Sequence, residues 1–327
     1  MKSLILPPLS VLYGAVTLTR LSLYRRGTFH STKLNRPVIS VGNITTGGTG
    51  KTPLVEWVAR TLAAEGKKVC ILTRGYGRDN PNRQVVVSDG TNVMASPLEA
   101  GDEPYLLATN LKGLAAVISN ANRIEAAHGA IKHLGTDCFV LDDGFQHLRL
   151  ERDLNIVTID ATNPWGGGHL LPYGRLREPL SGLSRADCVV ITRTDQANDL
   201  DKLRHEIRRY APSAPIFQSR MRIKNLPETL PTPVAAFCGV GNPRSFFNQQ
   251  QLVLEKTFPD HHRYSQADVD SLIESARQAG ARSLITTAKD AVKLQSLSFS
   301  LPLFVLEIEP QIENEAELAR LVLTAAA

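Results

Sequence analysis

A glycine-rich turn followed by lysine and threonine stands near the start of the chain, as Gly47-Gly48-Thr49-Gly50-Lys51-Thr52. Glycines allow backbone N–H groups to converge on phosphate oxygens, and a helix that begins at the lysine adds partial positive charge. In such a loop the lysine reaches the β- and γ-phosphates, and the threonine hydroxyl is a ligand of Mg²⁺. The turn therefore predicts a site for a nucleoside triphosphate, formed by Thr45, Thr46, Gly47, Gly48, Thr49, Gly50, Lys51 and Thr52.

The residues on either side of this turn favour the same interpretation. An apolar run at 38–41 reads as a buried strand, and an amphipathic helical pattern with Pro53 in its first turn follows the turn. One position departs from the usual G-x-x-x-x-G-K-[ST] spacing, because Thr45 stands where a glycine is expected. A purely structural turn is the alternative, but it would not explain why Lys51 and Thr52 follow the glycines.

Carboxylates follow a second apolar run. The sequence Cys138-Phe139-Val140-Leu141 leads into Asp142-Asp143, as in a Walker B strand that delivers carboxylates to Mg²⁺. The next residues, Gly144-Phe145-Gln146-His147, carry more functional groups than an ordinary turn needs. Paired with the phosphate loop, this stretch predicts a metal site, and a structural aspartate pair is the alternative.

Three further clusters contain groups suited to proton transfer or ligand contact. Asp102, in Gly101-Asp102-Glu103-Pro104, opens a helical segment, where it could also serve as a simple cap. His261 stands in Asp260-His261-His262, and a histidine that faces a carboxylate across a cleft suits a general base because its pKa is near neutral. Consecutive histidines rarely face one metal ion, which disfavours a metal site here. The stretch 286–290 ends a strand and hints at contact with a nucleotide.

Apolar runs of strand length alternate with helical segments, such as those at 123–134 and 266–278. This alternation predicts a parallel sheet covered on both faces, with ligands at the carboxyl ends of its strands. The stretch 225–233 is rich in proline and reads as a linker. We therefore expect an α/β fold: a P-loop NTPase-type, mostly parallel sheet flanked by helices over 37–224, and a smaller C-terminal α/β domain over 225–327 that contributes to the active-site cleft.

The remaining segment, 1–36, contains six basic residues and no acidic ones, in a chain whose formal charge is +5. The rest of the chain is therefore close to neutral, which disfavours a nucleic-acid partner and favours an anionic membrane surface for this segment. Residues 3–19 carry no charge, and Leu9, Leu12, Tyr13, Val16 and Leu23 fall near one helical face. A spanning anchor, an interfacial helix, a buried helix and a cleaved signal peptide remain open, although no A-x-A site is evident.

The four cysteines stand apart from one another, and the chain has no C-x-x-C motif. Cysteines in this arrangement indicate neither a structural zinc site nor a disulfide framework. They are typical of small buried hydrophobic residues in a reducing compartment.

The order of these motifs resembles that of the tetraacyldisaccharide 4'-kinase family, the lipid A 4'-kinases. The motifs that carry the resemblance are the phosphate loop, Thr-Arg-Gly-Tyr-Gly at 73–77, Gly-Asp-Glu-Pro at 101–104, Asn122-Arg123, Asp-Asp-Gly-Phe-Gln-His at 142–147, Leu-Arg-Glu-Pro at 176–179 and Asp-His at 260–261. The resemblance covers nearly the whole chain, including the basic and apolar N-terminus. Thr45 belongs to this family's version of the loop, whereas His262 matches no family position.

The resemblance implies an enzyme that uses ATP and Mg²⁺ to phosphorylate the 4'-hydroxyl of a tetraacylated glucosamine disaccharide 1-phosphate in lipid A biosynthesis. The acceptor is a membrane lipid, which implies a location at the cytoplasmic face of the inner membrane, peripheral or with a single N-terminal anchor. The implied catalytic residues are Asp102, His261 and Lys51, with Asp102 and His261 paired to take the hydroxyl proton. The implied metal ligands are Thr52, Asp142, Asp143 and Glu178, and the implied substrate contacts are Arg74, Tyr76, Asn122, Arg123, Gln146, His147 and Arg177.

Two alternatives from other classes share the phosphate loop. A membrane-associated P-loop ATPase switch would need the loop and Asp142, but it gives no role to the Asp102 and His261 motifs. A dethiobiotin synthetase-like ATP-dependent ligase would share the loop and the parallel sheet, but it leaves the N-terminal segment unexplained.

Overall fold

Two β-sheets organise the chain. The computed structural model describes residues 2–225, 230–248 and 251–327. In these ranges the strands are β1 (Val38–Gly42), β2 (Val69–Thr73), β3 (Val85–Asp89), β4 (Ala115–Ser119), β5 (Cys138–Asp142), β6 (Leu154–Asp160), β7 (Cys188–Thr192), β8 (Ile216–Ile223), β9 (Val234–Cys238), β10 (Leu252–Thr257), β11 (Ser283–Thr287), β12 (Leu303–Leu306) and β13 (Ile308–Ile312). The α-helices are α1 (Lys2–Arg25), α2 (Lys51–Ala64), α3 (Pro97–Ala100), α4 (Asp102–Asn110), α5 (Arg123–Leu134), α6 (Leu200–Tyr210), α7 (Arg244–Phe247), α8 (Gln266–Gln278), α9 (Ala288–Ala291) and α10 (Glu315–Ala325), and 3₁₀ turns cover Leu180–Arg185 and Thr194–Gln196.

The larger sheet has the order β13-β8-β7-β6-β1-β5-β2-β4-β3. Its inner pairs are parallel, and its two edge pairs, β3 with β4 and β13 with β8, are antiparallel. The predicted fold class, a mostly parallel α/β sheet flanked by helices, is confirmed.

Successive residues of the central strands alternate between two cores. Ile39 and Val140 pack in the same core as Val58 of α2. Phe139 packs on the other side of the sheet, with Ala126 of α5. A strand that is buried on both faces needs an unbroken apolar run, and each fully buried aliphatic side chain contributes about 1.5–3 kcal/mol.

This topology gathers the polar clusters at one edge of the larger sheet. Strand β1 lies between β5 and β6, so the loop after β1 begins beside the end of β5. Because parallel strands end at the same edge, Thr73 of β2 and Asp142 of β5 lie together, joined by a hydrogen bond of 3.1 Å.

The smaller sheet has the order β10-β9-β11-β12, with all its pairs parallel. Glu307 alone separates β12 from β13, so one extended segment passes from the smaller sheet into the larger one. Helix α10 then packs on α2, where Trp57 Nε1 donates a hydrogen bond to Glu315 Oε1 (2.6 Å). Residues 308–327 thus lie with the larger sheet, while the proposed division into 1–36, 37–224 and 225–327 stays a prediction.

Helix α1 covers 24 residues and lies against the body of the protein. It contains Pro7 and Pro8 beyond its first turn, so each of them removes one backbone hydrogen bond from the helix. Within the described part of the chain, no helix is both long and apolar enough to cross a membrane. Residues 226–229, within the predicted linker, lie outside the described ranges.

Candidate active site

The phosphate loop is held by hydrogen bonds from residues at the ends of the neighbouring strands. Asn43 Nδ2 donates to Thr49 Oγ1 (2.9 Å), and that hydroxyl also shares a hydrogen bond with Thr158 Oγ1 (2.8 Å). Thr192 Oγ1 donates to the Thr49 carbonyl (3.0 Å). Gly50 turns into the helix with φ of 78°, and α2 has no side-chain cap. The first N–H groups of α2 are thus left for an anion, as a phosphate site requires.

Thr45 fits the loop because its backbone is extended and pairs with another segment of the chain, so no glycine is needed at this position. It is buried and forms an antiparallel bridge with Leu176. On either side of it, the Arg177 N–H donates to the Ile44 carbonyl (2.8 Å) and the Thr46 N–H donates to the Arg175 carbonyl (2.7 Å). A β-branched residue suits this extended conformation. The pairing also brings Arg177 and its neighbour Glu178 to the phosphate loop.

Two neighbouring carboxylates at the end of β5 have opposite properties. Asp142 is buried, and burial, with the charges of Glu103 and Asp143, raises its pKa to about 7. Burial would also raise the pKa of Asp143, but Lys51 and Arg177 outweigh it and hold that pKa below its usual range. Lys51 Nζ lies 3.6 Å from Asp143 Oδ1, and Arg177 Nη1 lies 2.6 Å from Asp143 Oδ2. Asp143 thus orients both Lys51 and Arg177 beside the predicted phosphate site.

Glu178 is buried, and both of its carboxylate oxygens have partners. Gln146 Nε2 donates to Oε1 (2.7 Å), and Arg185 Nη2 lies 2.8 Å from Oε2. Gln146 Nε2 also donates to the Asn43 carbonyl (2.8 Å), at the start of the phosphate loop. Through Gln146, these contacts connect Glu178 to the phosphate loop and stabilise the loop. The role of Glu178 as a metal ligand stays a prediction. In the described residues, no group of three or more His, Cys, Asp or Glu is arranged to hold a metal ion.

Asp102 and His261 meet although 159 positions separate them in the chain. His261 Nδ1 lies 3.3 Å from Asp102 Oδ2. Asp102 is the first residue of α4, where Gly101 occupies the cap position without a side-chain hydrogen bond. His261 stands in the loop between β10 and α8 with φ of 61°. The contact therefore joins α4, which packs with the larger sheet, to a loop of the smaller sheet.

A cavity of about 760 Å³ opens between the two sheets, within the size range of ligand pockets. The residues that line it include the phosphate loop, Lys51, Asp143, Arg177, His261 and Lys289. A nucleoside triphosphate and the Asp102–His261 pair would thus share one cleft.

The other predicted substrate contacts differ in how exposed they are and in which neighbours they contact. Tyr76 is exposed and accepts a hydrogen bond from Arg74 Nη1 (3.0 Å), whereas Arg123 is buried, and burial lowers the pKa of its guanidinium. Burial and nearby arginines lower the pKa of His147 to about 4, which keeps its ring neutral. Asn122 has a structural role, because its Oδ1 caps α5 by accepting from the Glu125 N–H (3.3 Å). Their contacts with substrate stay predictions.

Comparison with known proteins decides the family. The family model described as LpxK, tetraacyldisaccharide-1-P 4'-kinase, matches residues 2–327. The chain is 44% identical over 303 residues to the tetraacyldisaccharide 4'-kinase of Geobacter metallireducens, covering 89% of this chain and 88% of that one. It is 38% identical to that of Halothermothrix orenii, covering 97% of this chain and 91% of that one.

The chain belongs to the tetraacyldisaccharide 4'-kinase family. Its fold is similar to that of the crystal structure of LpxK from Aquifex aeolicus in complex with ATP, with a TM-score of 0.78 and 32% identity over 100% of both chains.

In this member of the tetraacyldisaccharide 4'-kinase family, sequence patterns did not reveal several residues that shape the site. Tyr13 Oη of α1 donates to the Arg177 carbonyl (2.8 Å), and Arg20 Nη2 donates to the Gln146 carbonyl (3.0 Å). Lys289 pairs with Glu103 and Asp260. Its place at the end of β11, after Thr286-Thr287, was the signal available in the sequence. His262 instead contacts Asp268 in the cap of α8, at 3.3 Å.

Proposed function

We propose that this protein transfers the γ-phosphoryl group of ATP to the 4'-hydroxyl of a tetraacylated glucosamine disaccharide 1-phosphate. Family membership over the whole chain supports the activity. The observation that carries the proposal is the contact between Asp102 and His261 beside a cavity lined by Lys51 and the phosphate loop. A nucleotide switch would need no such acid–base pair, and a ligase of the dethiobiotin synthetase type would not explain the N-terminal helix.

The chain's own groups account for the phosphate end of the reaction. The uncapped N-terminus of α2 and the ammonium of Lys51 would receive the β- and γ-phosphate oxygens. Asp143 holds Lys51 and Arg177 in place by its two oxygens. Phosphoryl transfer depends mainly on position and charge, so cations fixed before the substrate binds lower the barrier.

The residues present also fit a Mg²⁺ ion. Thr52 opens α2 beside Lys51, and Asp142 offers a carboxylate whose one hydrogen bond in the described part of the chain comes from Thr73. Asp143 Oδ1 is buried and accepts no hydrogen bond from any described residue. Hydroxyl and carboxylate oxygens are the ligands that Mg²⁺ prefers, with phosphate oxygens and water completing its shell. When bound, the ion would neutralise charge on the transferred phosphoryl group.

The Asp102–His261 pair suits removal of the acceptor's proton. Asp102 contacts the Nδ1 side of the imidazole and so fixes the orientation of the ring. A sugar hydroxyl loses its proton as it attacks the γ-phosphorus, and a positioned base commonly contributes about 10²–10⁴-fold in rate. Arg74, Tyr76 and Arg123 are the proposed contacts to the anionic and polar parts of the acceptor.

Helix α1 supports a location at an anionic membrane surface, at the cytoplasmic face of the inner membrane. One side of the helix contacts the body, and Ser10 Oγ there donates to the Leu170 carbonyl (2.7 Å). The other side exposes apolar residues, namely Leu9, Val11, Leu12, Val16 and Leu18. An apolar stripe beside basic residues is the pattern of a helix that lies in the membrane interface, next to a lipid substrate.

Label transfer tests this proposal. Purified protein is mixed with Mg²⁺ and γ-labelled ATP, with the acylated disaccharide 1-phosphate in mixed micelles or with empty micelles. We expect labelled lipid only in the first mixture. Label released as inorganic phosphate in both mixtures, with no labelled lipid, would contradict the kinase and favour an ATPase switch.

A further inference from the structure

Lys289 forms an ion-pair bridge between the two sides of the cleft. Its Nζ lies 3.1 Å from Glu103 Oε1, on α4, and 3.2 Å from Asp260 Oδ1, in the loop after β10. The side chain is only 16% exposed. Burial by itself would lower the pKa of Lys289, but Glu103 and Asp260 outweigh burial and raise it, so the bridge is charged at neutral pH.

The two carboxylates of this bridge are the chain neighbours of the catalytic pair. Glu103 follows Asp102, and Asp260 precedes His261. The Glu103–Lys289–Asp260 bridge therefore runs beside the Asp102–His261 contact, one residue away on each side of the cleft. Asp260 Oδ1 also accepts a hydrogen bond from the backbone N–H of His261 (3.1 Å), so the same oxygen joins the lysine to the histidine.

Lys293, one turn further along the chain, completes the arrangement. Its Nζ lies 2.8 Å from Asp290 Oδ1 and 3.9 Å from Asp102 Oδ2. Asp290 is fully buried and also accepts hydrogen bonds from the Gly239 N–H (2.9 Å) and Tyr264 Oη (3.1 Å). The segment that carries both lysines is thus fixed to the smaller sheet.

We infer that Lys289, supported by Lys293, is a positioning residue that aligns Asp102 with His261 across the cleft. The inference rests on the proposed function, because the pair must act as one base that removes the proton of the acceptor hydroxyl. Without the lysine, Glu103 and Asp260 would face each other as like charges in a half-buried cleft, and their repulsion would separate the two residues beside them. A displacement of about 1 Å at a reacting group costs on the order of 100-fold in rate.

The cleft offers a second role for the same lysine. Lys289 also lines the cavity beside the phosphate loop, so its ammonium could instead contact the nucleotide. The two roles separate in the kinetics. Loss of a nucleotide contact raises the KM for ATP, whereas loss of alignment lowers kcat and leaves that KM unchanged.

The test compares Lys289→Met with Lys289→Arg and Arg263→Met in the lipid phosphorylation assay. Met keeps most of the side-chain volume and removes the charge, and Arg restores a cation that can bridge two carboxylates. Arg263 is the matched control, because its Nη2 lies 3.4 Å from Asp79 Oδ1 on the other side of the cleft, but both side chains are exposed and neither touches the catalytic pair. Lys293 suits the test less well, because its loss would leave a buried carboxylate without its cation.

We expect Lys289→Met to lower kcat by about 10- to 100-fold with the KM for ATP unchanged. Lys289→Arg should recover most of the rate, and Arg263→Met should match the wild type. In a His261→Ala background, the Lys289→Met substitution should cause little further loss, because the residue it positions is gone.

Three results would overturn the inference. They are a raised KM for ATP with kcat intact, an equal loss with and without His261, and a loss that merely follows the folded fraction in thermal melts. A failure of the proposed function would show in the wild type itself, as an absence of labelled lipid, and the inference would fall with it.

Discussion

Two adjacent carboxylates illustrate how strongly the surroundings decide what a residue does. Asp142 and Asp143 follow one another at the end of β5, yet the pKa of Asp142 is raised to about 7 and that of Asp143 is lowered. Burial acts on both, and only Asp143 has Lys51 and Arg177 close enough to offset it. Asp143 therefore orients the two cations beside the predicted phosphate site, whereas Asp142 has no cation at ion-pair distance among the described residues.

Lys51→Ala should abolish phosphoryl transfer while the protein remains folded. The substitution removes the charge aimed at the β- and γ-phosphates, and Asp143 keeps Arg177 as its partner. Turnover at saturating ATP and a thermal melt are the measurements, with Lys68→Ala, an exposed lysine between α2 and β2, as the control. Turnover close to that of the wild type would contradict the phosphate site.

Asp142→Asn should stabilise the metal-free protein at pH 8 and remove its activity. Because the folded pKa lies above the unfolded value of about 3.9, wild-type stability falls as pH rises from about 4 to about 7. A neutral amide avoids this loss and can still accept the Thr73 hydrogen bond, so the gain at pH 8 is on the order of a few kcal/mol and vanishes towards pH 4. Thermal melts in chelator across this pH range measure it.

Asp143→Asn is the matched control for that experiment. Its pKa is shifted the other way, so the substitution leaves Lys51 and Arg177 without their carboxylate and should destabilise the protein at pH 8. If both variants moved the melting temperature in the same direction, the assignment of opposite roles would be wrong.

His261→Ala and Asp102→Ala should each slow turnover by about 10²–10⁴-fold and leave ATP binding in place. If the two side chains act as a unit, the double variant should lose little more than either single one. A purely capping role for Asp102 would instead cost about 1 kcal/mol of stability and leave turnover per folded molecule intact. The structure already weighs against that role, because Gly101 holds the cap position. Additive losses would contradict the pair.

At the scale of elements, α1 contacts the body of the protein with one side and exposes apolar residues on the opposite side. Its inner side reaches the site, through Tyr13 to the Arg177 carbonyl and through Arg20 to the Gln146 carbonyl. Its outer side exposes Val11 to 73% and Leu12 and Val16 to 61% each. Deletion of residues 1–24 would therefore remove contacts to the site together with the apolar surface, and point variants test membrane binding more sharply.

The double variant Leu12→Ser, Val16→Ser should weaken binding to anionic vesicles while ATP binding is retained. Each exposed aliphatic side chain that enters lipid contributes about 1–2 kcal/mol, so the two substitutions together should lower the partition coefficient by about 30-fold or more. Vesicle cosedimentation measures this, and Met94→Ser is the control because Met94 is 62% exposed on the body. Unchanged cosedimentation would place the membrane contact elsewhere.

At the scale of the whole molecule, the smaller sheet meets the phosphate loop directly. A Cβ atom on Gly241, after β9, would lie 3.1 Å from the backbone nitrogen of Gly48. The segment that joins β12 to β13 carries the chain from one sheet to the other, and its residue Glu307 lines the same cavity as the phosphate loop. The nucleotide cleft therefore depends on how closely the two sheets approach.

Gly241→Ala should raise the KM for ATP several-fold, with a small change in melting temperature. The added methyl group requires the phosphate loop to shift by a few tenths of an ångström, and backbone N–H groups aimed at phosphate tolerate such shifts poorly. The control is Gly129→Ala in α5, where a Cβ has space and alanine favours the helix. An unchanged KM for ATP would show that the two sheets do not meet this closely in solution.

The sequence by itself determined the local elements and predicted the phosphate chemistry. The helices expected at 123–134 and 266–278 are α5 and α8, because their apolar periodicity and their caps lie within the segments themselves. The loop that ends in Lys51 and Thr52 predicted the phosphate site, because its conformation depends on glycines that are adjacent in the chain. Motif order also supplied the family.

Only the tertiary structure decided which distant residues meet. Nothing in the spacing shows that Glu178 accepts a hydrogen bond from Gln146, or that β13 and α10 return to the larger sheet. Nor does it show that Lys289 bridges the neighbours of Asp102 and His261. Local patterns report on residues a few positions apart, whereas these contacts join segments tens to hundreds of residues apart. They form only once the sheets have packed, because packing alone brings these segments together.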